Sequence, residues 1–274
     1  MGNSLFTSKN ISCAYQVIGS GLPVMLIHGF GEDSCVWEKQ LMALKDKYQL
    51  IIPDLPGCGK SVLSVDCDMH ILSSIDLLAD LMVQILQQEE IANWVVIGHS
   101  MGGYIALAMA EKYPERLRGL GLVHSTAFAD SEEKKQIRTK GIAAMNAYGA
   151  EAFIKNTTPN LFTLSFKENK PSIVASFIEM GINSSVEALK CYYLAMRNRP
   201  DRTSILQNFD KPVMLIAGTQ DIAVPLNDSL KMAAMPQKML FTCLDGIGHM
   251  GQTETPEMVN NTIMNFLQLI ENNK

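Results

Sequence analysis

The sequence predicts a doubly wound α/β fold, in which helices lie on both faces of a mostly parallel sheet. One observation is a series of short, mostly apolar runs, typical of strands that are buried on both faces. These runs occupy residues 24–28, 49–53, 94–98, 117–124, 213–218 and 238–244. A second observation is helical periodicity between the runs. A third is the alternating segment at residues 11–18, which predicts an antiparallel strand at one edge of the sheet.

Two of the helical segments carry a clear apolar stripe. The first stripe consists of Ile75, Leu78, Met82, Ile85 and Leu86. The second belongs to the last helix, predicted to begin near Pro256, and consists of Val259, Ile263, Phe266, Leu267 and Ile270. Stripes at this spacing are typical of helices that pack against a core.

The alternation of strands and helices stops between residues 126 and 205, where the pattern is helical with turn signals at Pro159, Pro171 and Pro200. We therefore predict a core domain over residues 1–125 and 206–274, with a helical cap inserted over residues 126–205. The cap contains eleven Lys and Arg against eight Asp and Glu, a net of +3, while the whole chain carries −5. Open α/β sheets bind ligands at the carboxyl ends of their strands, where this cap is expected to lie.

Composition limits the partners. A net charge of −5 disfavours a general nucleic-acid binder. No apolar run is long enough to predict a membrane span, and the N-terminal residues do not resemble a secretory leader. The six cysteines are scattered and form no CxxC pair, which favours a reduced, cytoplasmic compartment. The expected partner is a small molecule, and the oligomeric state is left open, a homo-oligomer included.

The sequence GHSMG at residues 98–102 is the strongest motif, because it follows a predicted strand and opens a predicted helix. A tight turn of this kind needs small residues at Gly98 and Gly102, where the backbones approach closely. It exposes the hydroxyl of Ser100 at a helix N-terminus, which favours developing negative charge. Ser100 is therefore the predicted nucleophile.

A serine nucleophile needs a base, and His249 in the glycine-flanked loop GIGHMG is the predicted one. The other histidines are expected to be structural or exposed: His28, His70, His99 and His124. The base needs an orienting carboxylate, for which Asp221 is favoured. The alternative is Asp245, four residues before the histidine, which is more easily read as a solvated loop residue.

Backbone N–H groups are the predicted oxyanion donors. His28, Gly29, Phe30 and Gly31 form a loop after the first central strand, and its glycines allow a turn that presents the N–H of Phe30. The N–H of Met101, directly after the serine, would be the second donor. Taken by itself, the loop could equally be an ordinary glycine-rich turn.

The GKS at residues 59–61 imitates the end of a phosphate-binding loop. That loop requires a first glycine five positions before the second, where this chain has Asp54. We therefore do not predict nucleotide binding.

Together, HGFG, DLPGCGKS, GHSMGG, GTQDIAVP and GIGHMG resemble the α/β-hydrolase superfamily. The resemblance implies an eight-stranded, mostly parallel sheet, a helical cap, a Ser-Asp-His triad and no metal or organic cofactor. The serine at the turn disfavours dehalogenases and epoxide hydrolases, which have an aspartate there. The stretch MRNRPDR at residues 196–202 resembles esterase and enol-lactonase-like members.

The sequence thus predicts a serine hydrolase that cleaves a small to medium carboxylic ester, lactone or thioester through an acyl-enzyme at Ser100. Two alternatives stay open at this stage. The same triad could serve a carbon–carbon bond hydrolase or a lyase. A fold of this kind can also act as a non-catalytic ligand receptor, because fold does not fix function.

Overall fold

The computed structural model describes residues 3–8 and 10–272. Its centre is a nine-stranded sheet. The strands are β1 (Asn3–Ser8), β2 (Ile11–Ile18), β3 (Leu22–Ile27), β4 (Tyr48–Pro53), β5 (Val62–Leu63), β6 (Trp94–His99), β7 (Leu117–Val123), β8 (Val213–Gly218) and β9 (Met239–Leu244). Eight of them follow the order β1-β2-β4-β3-β6-β7-β8-β9, and the short β5 pairs with β2.

The predicted fold class is confirmed. All six predicted strands are present, and β4, β3, β6, β7, β8 and β9 run parallel. Five of them are buried, whereas β9 at the edge of the sheet is only partly buried. Residues 11–18 form an antiparallel strand, as expected, but they are not the edge. The outermost strand is β1, which pairs antiparallel with β2. Its sequence, NSLFTS, carries too few apolar residues to predict a strand from pattern alone.

Twelve α-helices and two 3₁₀ turns are described. The helices that flank the core strands are α1 (Glu38–Leu44), α2 (Met69–Leu72), α3 (Ile75–Gln88), α4 (Met101–Lys112), α10 (Leu226–Ala233), α11 (Gly251–Glu254) and α12 (Pro256–Asn272). Those between β7 and β8 are α5 (Glu132–Thr157), α6 (Leu164–Asn169), α7 (Pro171–Ile182), α8 (Val186–Asn198) and α9 (Thr203–Asn208). The 3₁₀ turns are Ser34–Trp37 and Thr158–Leu161.

Both faces of the sheet are covered by apolar helices, as predicted. Side chains alternate between the faces of a strand, so Met25 and Ile27 of β3 pack in the same cluster as the stripe of α3. Val24 and Leu26 point the other way and pack in the cluster that contains the stripe of α12. Burial on both sides explains why these strands read as continuous apolar runs.

The chain between β7 and β8 forms the region that we call the helical insertion, α5 to α9. Residues 124–212, all of which are described, contain no strand. Three of its helices begin at serine or threonine caps, Ser131, Thr163 and Ser185, each of which accepts a backbone N–H bond. A division into core and cap domains remains a prediction, and its outer limits, residues 1–2 and 273–274, lie outside the described residues. None of the helices described is both long and apolar enough to cross a membrane.

Candidate active site

Ser100 occupies the turn between β6 and α4, at the carboxyl edge of the sheet. Its backbone has φ 50° and ψ −116°, a conformation that non-glycine residues rarely adopt. Neighbouring groups hold it there: the N–H of Ser100 donates to Val123 O at 3.0 Å, and the hydroxyl of Ser125 donates to Ser100 O at 2.8 Å. The strand–turn–helix context expected of GHSMG is therefore present, with backbone strain at the serine.

The two glycines around the serine are required by close packing. A Cβ atom on Gly98 would lie 2.2 Å from the backbone of Gly102, and one on Gly102 would lie 2.2 Å from the carbonyl oxygen of Ile27. No side chain fits at either position. The sequence pattern is thus explained by contacts between three backbone segments.

His249 lies in the loop between β9 and α11, and Asp221 lies in the loop after the neighbouring strand β8. Both are buried, with exposed fractions of 3% and 8%. The Nδ1 of His249 is 3.0 Å from Oδ1 and 2.9 Å from Oδ2 of Asp221. A proton on Nδ1 leaves Nε2 as the acceptor, which is the tautomer that a general base needs. Ser100 and His249 line one common cavity.

The Asp221 carboxylate is held by donors from several directions. The backbone N–H groups of Ala223 and Val224 each donate to Oδ1 at 2.9 Å. Burial alone would raise the pKa of Asp221, but His249 and His124 hold this pKa well below its ordinary value. The carboxylate therefore stays charged and can stabilise an imidazolium.

His124, at the carboxyl end of β7, was assigned a packing role by the sequence. In the structure its Nδ1 lies 3.1 Å from Oδ2 of Asp221, so the aspartate bridges two histidines. Burial lowers the pKa of His124 to about 4, against the opposing influence of Asp221, and the ring is neutral near pH 7. Its Nε2 is buried without a hydrogen-bond partner among the described residues. The position follows from the pairing of β7 with β8, which no local pattern reveals.

Among the described residues, His124, Asp221 and His249 are also the one group whose ligand atoms could converge on a metal, since these atoms lie within 4.8 Å of one another. Their N···O separations of 2.9–3.1 Å are those of hydrogen bonds. Two backbone N–H groups already occupy one carboxylate oxygen. We therefore interpret the group as a hydrogen-bonded network.

The loop after β3 lies beside the serine turn. Gly31 adopts a positive φ of 67°, and the N–H of Gly29 donates to Oε2 of Glu32 at 2.7 Å, which closes the loop on itself. Phe30 lines the Ser100 cavity. Met101 is the first residue of α4, so its N–H has no acceptor within the helix. The assignment of the Phe30 and Met101 N–H groups as oxyanion donors stays a prediction.

Glu32 is a buried residue of the site that the sequence did not single out. Its Oε2 lies 3.0 Å from Nδ1 of His99, whose Nε2 in turn lies 3.0 Å from the carbonyl oxygen of His249. Burial opposes charge on both partners, yet the pair lowers the pKa of Glu32 and raises the pKa of His99. This chain of contacts connects the β3 loop, the serine turn and the His249 loop. His99 thus has the structural position expected of it.

The remaining two histidines and the alternative acid considered in the sequence analysis do not contact Asp221 or line the Ser100 cavity. The Nδ1 of His28 donates to Gly29 O at 2.8 Å and its Nε2 accepts from Leu55 N–H at 2.8 Å, so it supports the β3 loop. His70 is exposed in α2. Asp245 is exposed and accepts a bond from the hydroxyl of Thr219. Asp221, rather than Asp245, is the acid that meets His249.

The cavity over Ser100 has a volume of about 130 Å³. We call its lower side, formed by loops at the strand ends, the floor: Phe30, Glu32, Ser100, Ala223, Val224 and His249. We call its upper side, formed by the helical insertion, the roof: Arg138, Leu161, Tyr193 and Met196. Tyr104 of α4 closes one wall. A larger cavity, about 470 Å³, lies at the opposite edge of the sheet near Leu117 and Pro212, far from these residues.

Only some of the aromatic and methionine side chains of the helical insertion reach the cavity. Tyr193 and Met196 do, whereas Phe162 and Phe177 pack in the core cluster of the α12 face. Phe153 packs edge-on against Phe30 and Tyr193, behind the cavity wall. Phe153, Phe162 and Phe177 therefore have packing roles.

A mostly parallel sheet that presents a serine turn beside a buried histidine–aspartate pair is the architecture of α/β hydrolases. The chain belongs to this family: the alpha/beta hydrolase fold matches residues 23–256. It is a hydrolase by family, and its relationships support ester hydrolysis in general.

Similar proteins include a thermophilic esterase from Thermogutta terrifontis, whose structure has a TM-score of 0.90 and 29% identity and covers 98% of this chain and 99% of that one. The enol-lactonase from Burkholderia xenovorans LB400 has a TM-score of 0.88 at 20% identity, covers 97% of this chain and 100% of that one, and shares the fold. The dihydrolipoyllysine-residue acetyltransferase component of the acetoin cleaving system of Pseudomonas putida is 29% identical over 254 residues, 90% of this chain. This chain spans 64% of the length of that protein.

Proposed function

We propose that the chain is a serine hydrolase that cleaves a small carboxylic ester, lactone or thioester through an acyl-enzyme at Ser100. The observation that carries the proposal is the strained Ser100 turn in one cavity with His249, whose Nδ1 is bound to the buried Asp221. The acyl substrate is the expected small-molecule partner.

In the first half-reaction, the hydroxyl oxygen of Ser100 attacks the carbonyl carbon while Nε2 of His249 accepts the hydroxyl proton. The carbonyl π electrons move to oxygen, which becomes an oxyanion. Asp221 stabilises the imidazolium and keeps the ring in place. The backbone N–H groups of Phe30 and Met101 are the proposed donors to the oxyanion.

The tetrahedral intermediate then collapses, and the bond to the alkoxy or thiol group breaks. His249 donates its proton to that leaving group, which restores the neutral ring. In the second half-reaction His249 takes a proton from water as the water oxygen attacks the acyl carbon. Release of the carboxylic acid returns the hydrogen to the Ser100 oxygen.

The size of the cavity supports a small substrate. At about 130 Å³ it lies below the range of roughly 300–1,000 Å³ common for drug-sized ligands. Short acyl groups are therefore expected to be better substrates than long ones. Apolar Leu161 and Met196 on the roof provide contacts for an acyl chain.

The test is hydrolysis of p-nitrophenyl esters from acetate to laurate by wild type and by Ser100→Ala. The substitution should lower kcat by about 10⁴-fold or more on every ester, because it removes the attacking atom. The exposed Ser204 provides a matched control, and Ser204→Ala should leave kcat unchanged. Mass spectrometry after treatment with a sulfonyl fluoride should place the adduct on Ser100.

Undiminished hydrolysis by Ser100→Ala would refute the proposal. Absence of ester turnover in wild type would favour carbon–carbon bond cleavage, a lyase reaction or a receptor role. Reactions in ¹⁸O-labelled water separate the first two, because only a hydrolase incorporates the label into its product.

A further inference from the structure

Arg138, on α5 of the helical insertion, lines the cavity that contains Ser100 and His249. Its side chain is largely buried, and its guanidinium lies 5.2 Å from the centre of the Tyr193 ring. The reaction described above has no use for this cation, so its position needs another explanation.

Arg138 shares its counter-ion with a second arginine. Its Nε donates to Oδ2 of Asp130 at 2.6 Å, while Nη1 of Arg199 lies 2.7 Å from Oδ1 of the same carboxylate. Two guanidinium groups therefore face one carboxylate. Arg138, Arg199 and Asp130 together keep one net positive charge. The exposed Asp201 also lies within electrostatic range of Arg199, and Asp130 is the one carboxylate in the described residues that is paired with Arg138.

Both terminal nitrogens of Arg199 have partners in the structure, whereas its buried Nε has none among the described residues. Its Nη1 and Nη2 donate to the carbonyl oxygens of Met196 and Phe128, and its guanidinium lies 4.0 Å from the centre of the Tyr104 ring. Arg138 differs: among the described residues its side chain bonds through Nε alone. Its Nη1 and Nη2, which carry four N–H groups, remain open to a ligand.

The other charged groups near the cavity do not neutralise Arg138. Glu32 is paired with His99, and Asp221 is surrounded by its own donors and does not line the cavity. Lys134, one helical turn before Arg138, donates to the carbonyl oxygen of Ala223, a floor residue. The α5 side of the cavity is therefore positive.

An anion stabilises a largely buried guanidinium whose charge is unbalanced, and the planar fork of arginine suits a carboxylate in bidentate contact. We propose, building on the function proposed above, that the substrate is a short ester that also carries a free carboxylate, which Arg138 binds on the roof. The small cavity favours a carboxylate over a bulkier phosphate.

The test compares acidic esters with neutral counterparts of similar shape. One pair carries the charge on the acyl side, mono-4-nitrophenyl glutarate against 4-nitrophenyl pentanoate. The other carries it on the leaving group, 4-acetoxybenzoate against 4-acetoxybenzamide. The variants are Arg138→Gln, Arg138→Lys and the control Lys140→Gln, which removes an exposed cation from the same helix.

Wild type should prefer the acidic member of one pair. Arg138→Gln should lower kcat/KM for that member by roughly 10- to 100-fold, as expected for a hydrogen bond to a charged group, and spare its neutral partner. Arg138→Lys should fall between, because it keeps the charge but loses the fork. Lys140→Gln should keep the wild-type ratio. The absence of any preference in wild type, or an equal loss on both members in Arg138→Gln, would overturn the proposal.

A binding measurement keeps this inference separate from the ester-hydrolase proposal. Glutarate should raise the Tm of Ser100→Ala and leave the Tm of the Ser100→Ala, Arg138→Gln double variant unchanged. That result would support the anion site even if wild type hydrolysed no ester. Equal Tm responses of the two proteins would overturn it.

Discussion

Polar groups on the floor of the Ser100 cavity are held differently from those on its roof. On the floor, Glu32 meets both Gly29 and His99, and His249 meets both Asp221 and the carbonyl oxygen of Leu161. The roof is mostly apolar and has one cation, Arg138, with open N–H groups. From this difference we expect the floor to hold one fixed geometry for every substrate and the roof to select among substrates.

The largest effect should come from the floor. Asp221→Asn should lower kcat by about 10⁴-fold on all esters alike, because an amide no longer enforces the tautomer with a free Nε2 on His249. Its matched control is Asp245→Asn at the exposed rival acid, which should have wild-type kcat. A larger loss in the Asp245 variant would reverse the assignment of the acid.

A second floor prediction concerns stability. Glu32→Gln should lower the free energy of unfolding by about 1.5–3 kcal/mol near pH 6, since a buried bond to a charged group is weakened. The lowered pKa of Glu32 gives stability that is present above its ordinary 4.5 and lost as pH falls. The raised pKa of His99 gives stability that is present below its ordinary 6.5 and lost as pH rises.

Wild type should therefore lose Tm on both sides of the interval from 4.5 to 6.5, and Glu32→Gln should flatten both slopes. Thermal unfolding across a pH series measures this. Glu38→Gln, at an exposed position of α1, is the control and should follow wild type. Parallel Tm curves for wild type and the Glu32 variant would show that the pair does not set the pH dependence.

Substitutions on the roof should change substrate selectivity more than kcat. Met196→Ala enlarges the cavity and should raise the ratio of hexanoate to acetate hydrolysis by about 10-fold or less, as for a change of a few methylenes in an apolar pocket. Met180→Ala, also in the insertion but outside the cavity lining, should leave this ratio unchanged. A uniform loss of kcat in Met196→Ala would mean that the roof also fixes the chemistry.

The smallest effect is expected at His124. His124→Leu removes one donor from Asp221 and leaves the N–H groups of Ala223 and Val224 and the Nδ1–H of His249. More of the carboxylate charge then acts on His249, so its imidazolium forms more readily. The acidic limb of the kcat/KM profile should move to higher pH by about one unit or less.

His124→Asn is the matched control, because its amide N–H sits where the Nδ1–H of histidine does. It should restore the wild-type pH profile. The other nearby groups, His99 with Glu32, are unchanged in both variants. An unmoved acidic limb in His124→Leu would limit His124 to packing.

The triad residues and most strands could be predicted from the sequence, because local backbone geometry restricts which residues fit there. Ser100, Asp221 and His249 each follow a strand, and glycines mark the sharp turns near them. These three residues could therefore be predicted from short sequence motifs. The strands β3, β4 and β6 to β8 were equally predictable, because burial on both faces leaves an apolar run. The edge strand β9 has an apolar run although it is only partly buried.

Contacts between distant segments explain what could not be predicted. Glu32 meets His99 across 67 residues, and His124 meets Asp221 across 97, through a strand order that no local pattern encodes. Arg138 lies only eight residues from Asp130, yet the cavity it faces depends on how α5 packs over the sheet. The short β5 and the polar β1 have no apolar pattern from which a strand could be predicted.

The insertion departs from β7 and rejoins the sheet at β8, and these two strands are paired neighbours. Because the strands are parallel, the insertion leaves at the carboxyl edge and returns at the amino edge of the sheet. Such a crossover segment can change its length without altering the order or register of the strands. The entropy cost of closing such a segment grows only slowly with its length. The four roof residues therefore come from one uninterrupted stretch of the gene, and we expect exchange of that stretch between relatives to alter the roof while the strands that precede Ser100 and Asp221 keep their order.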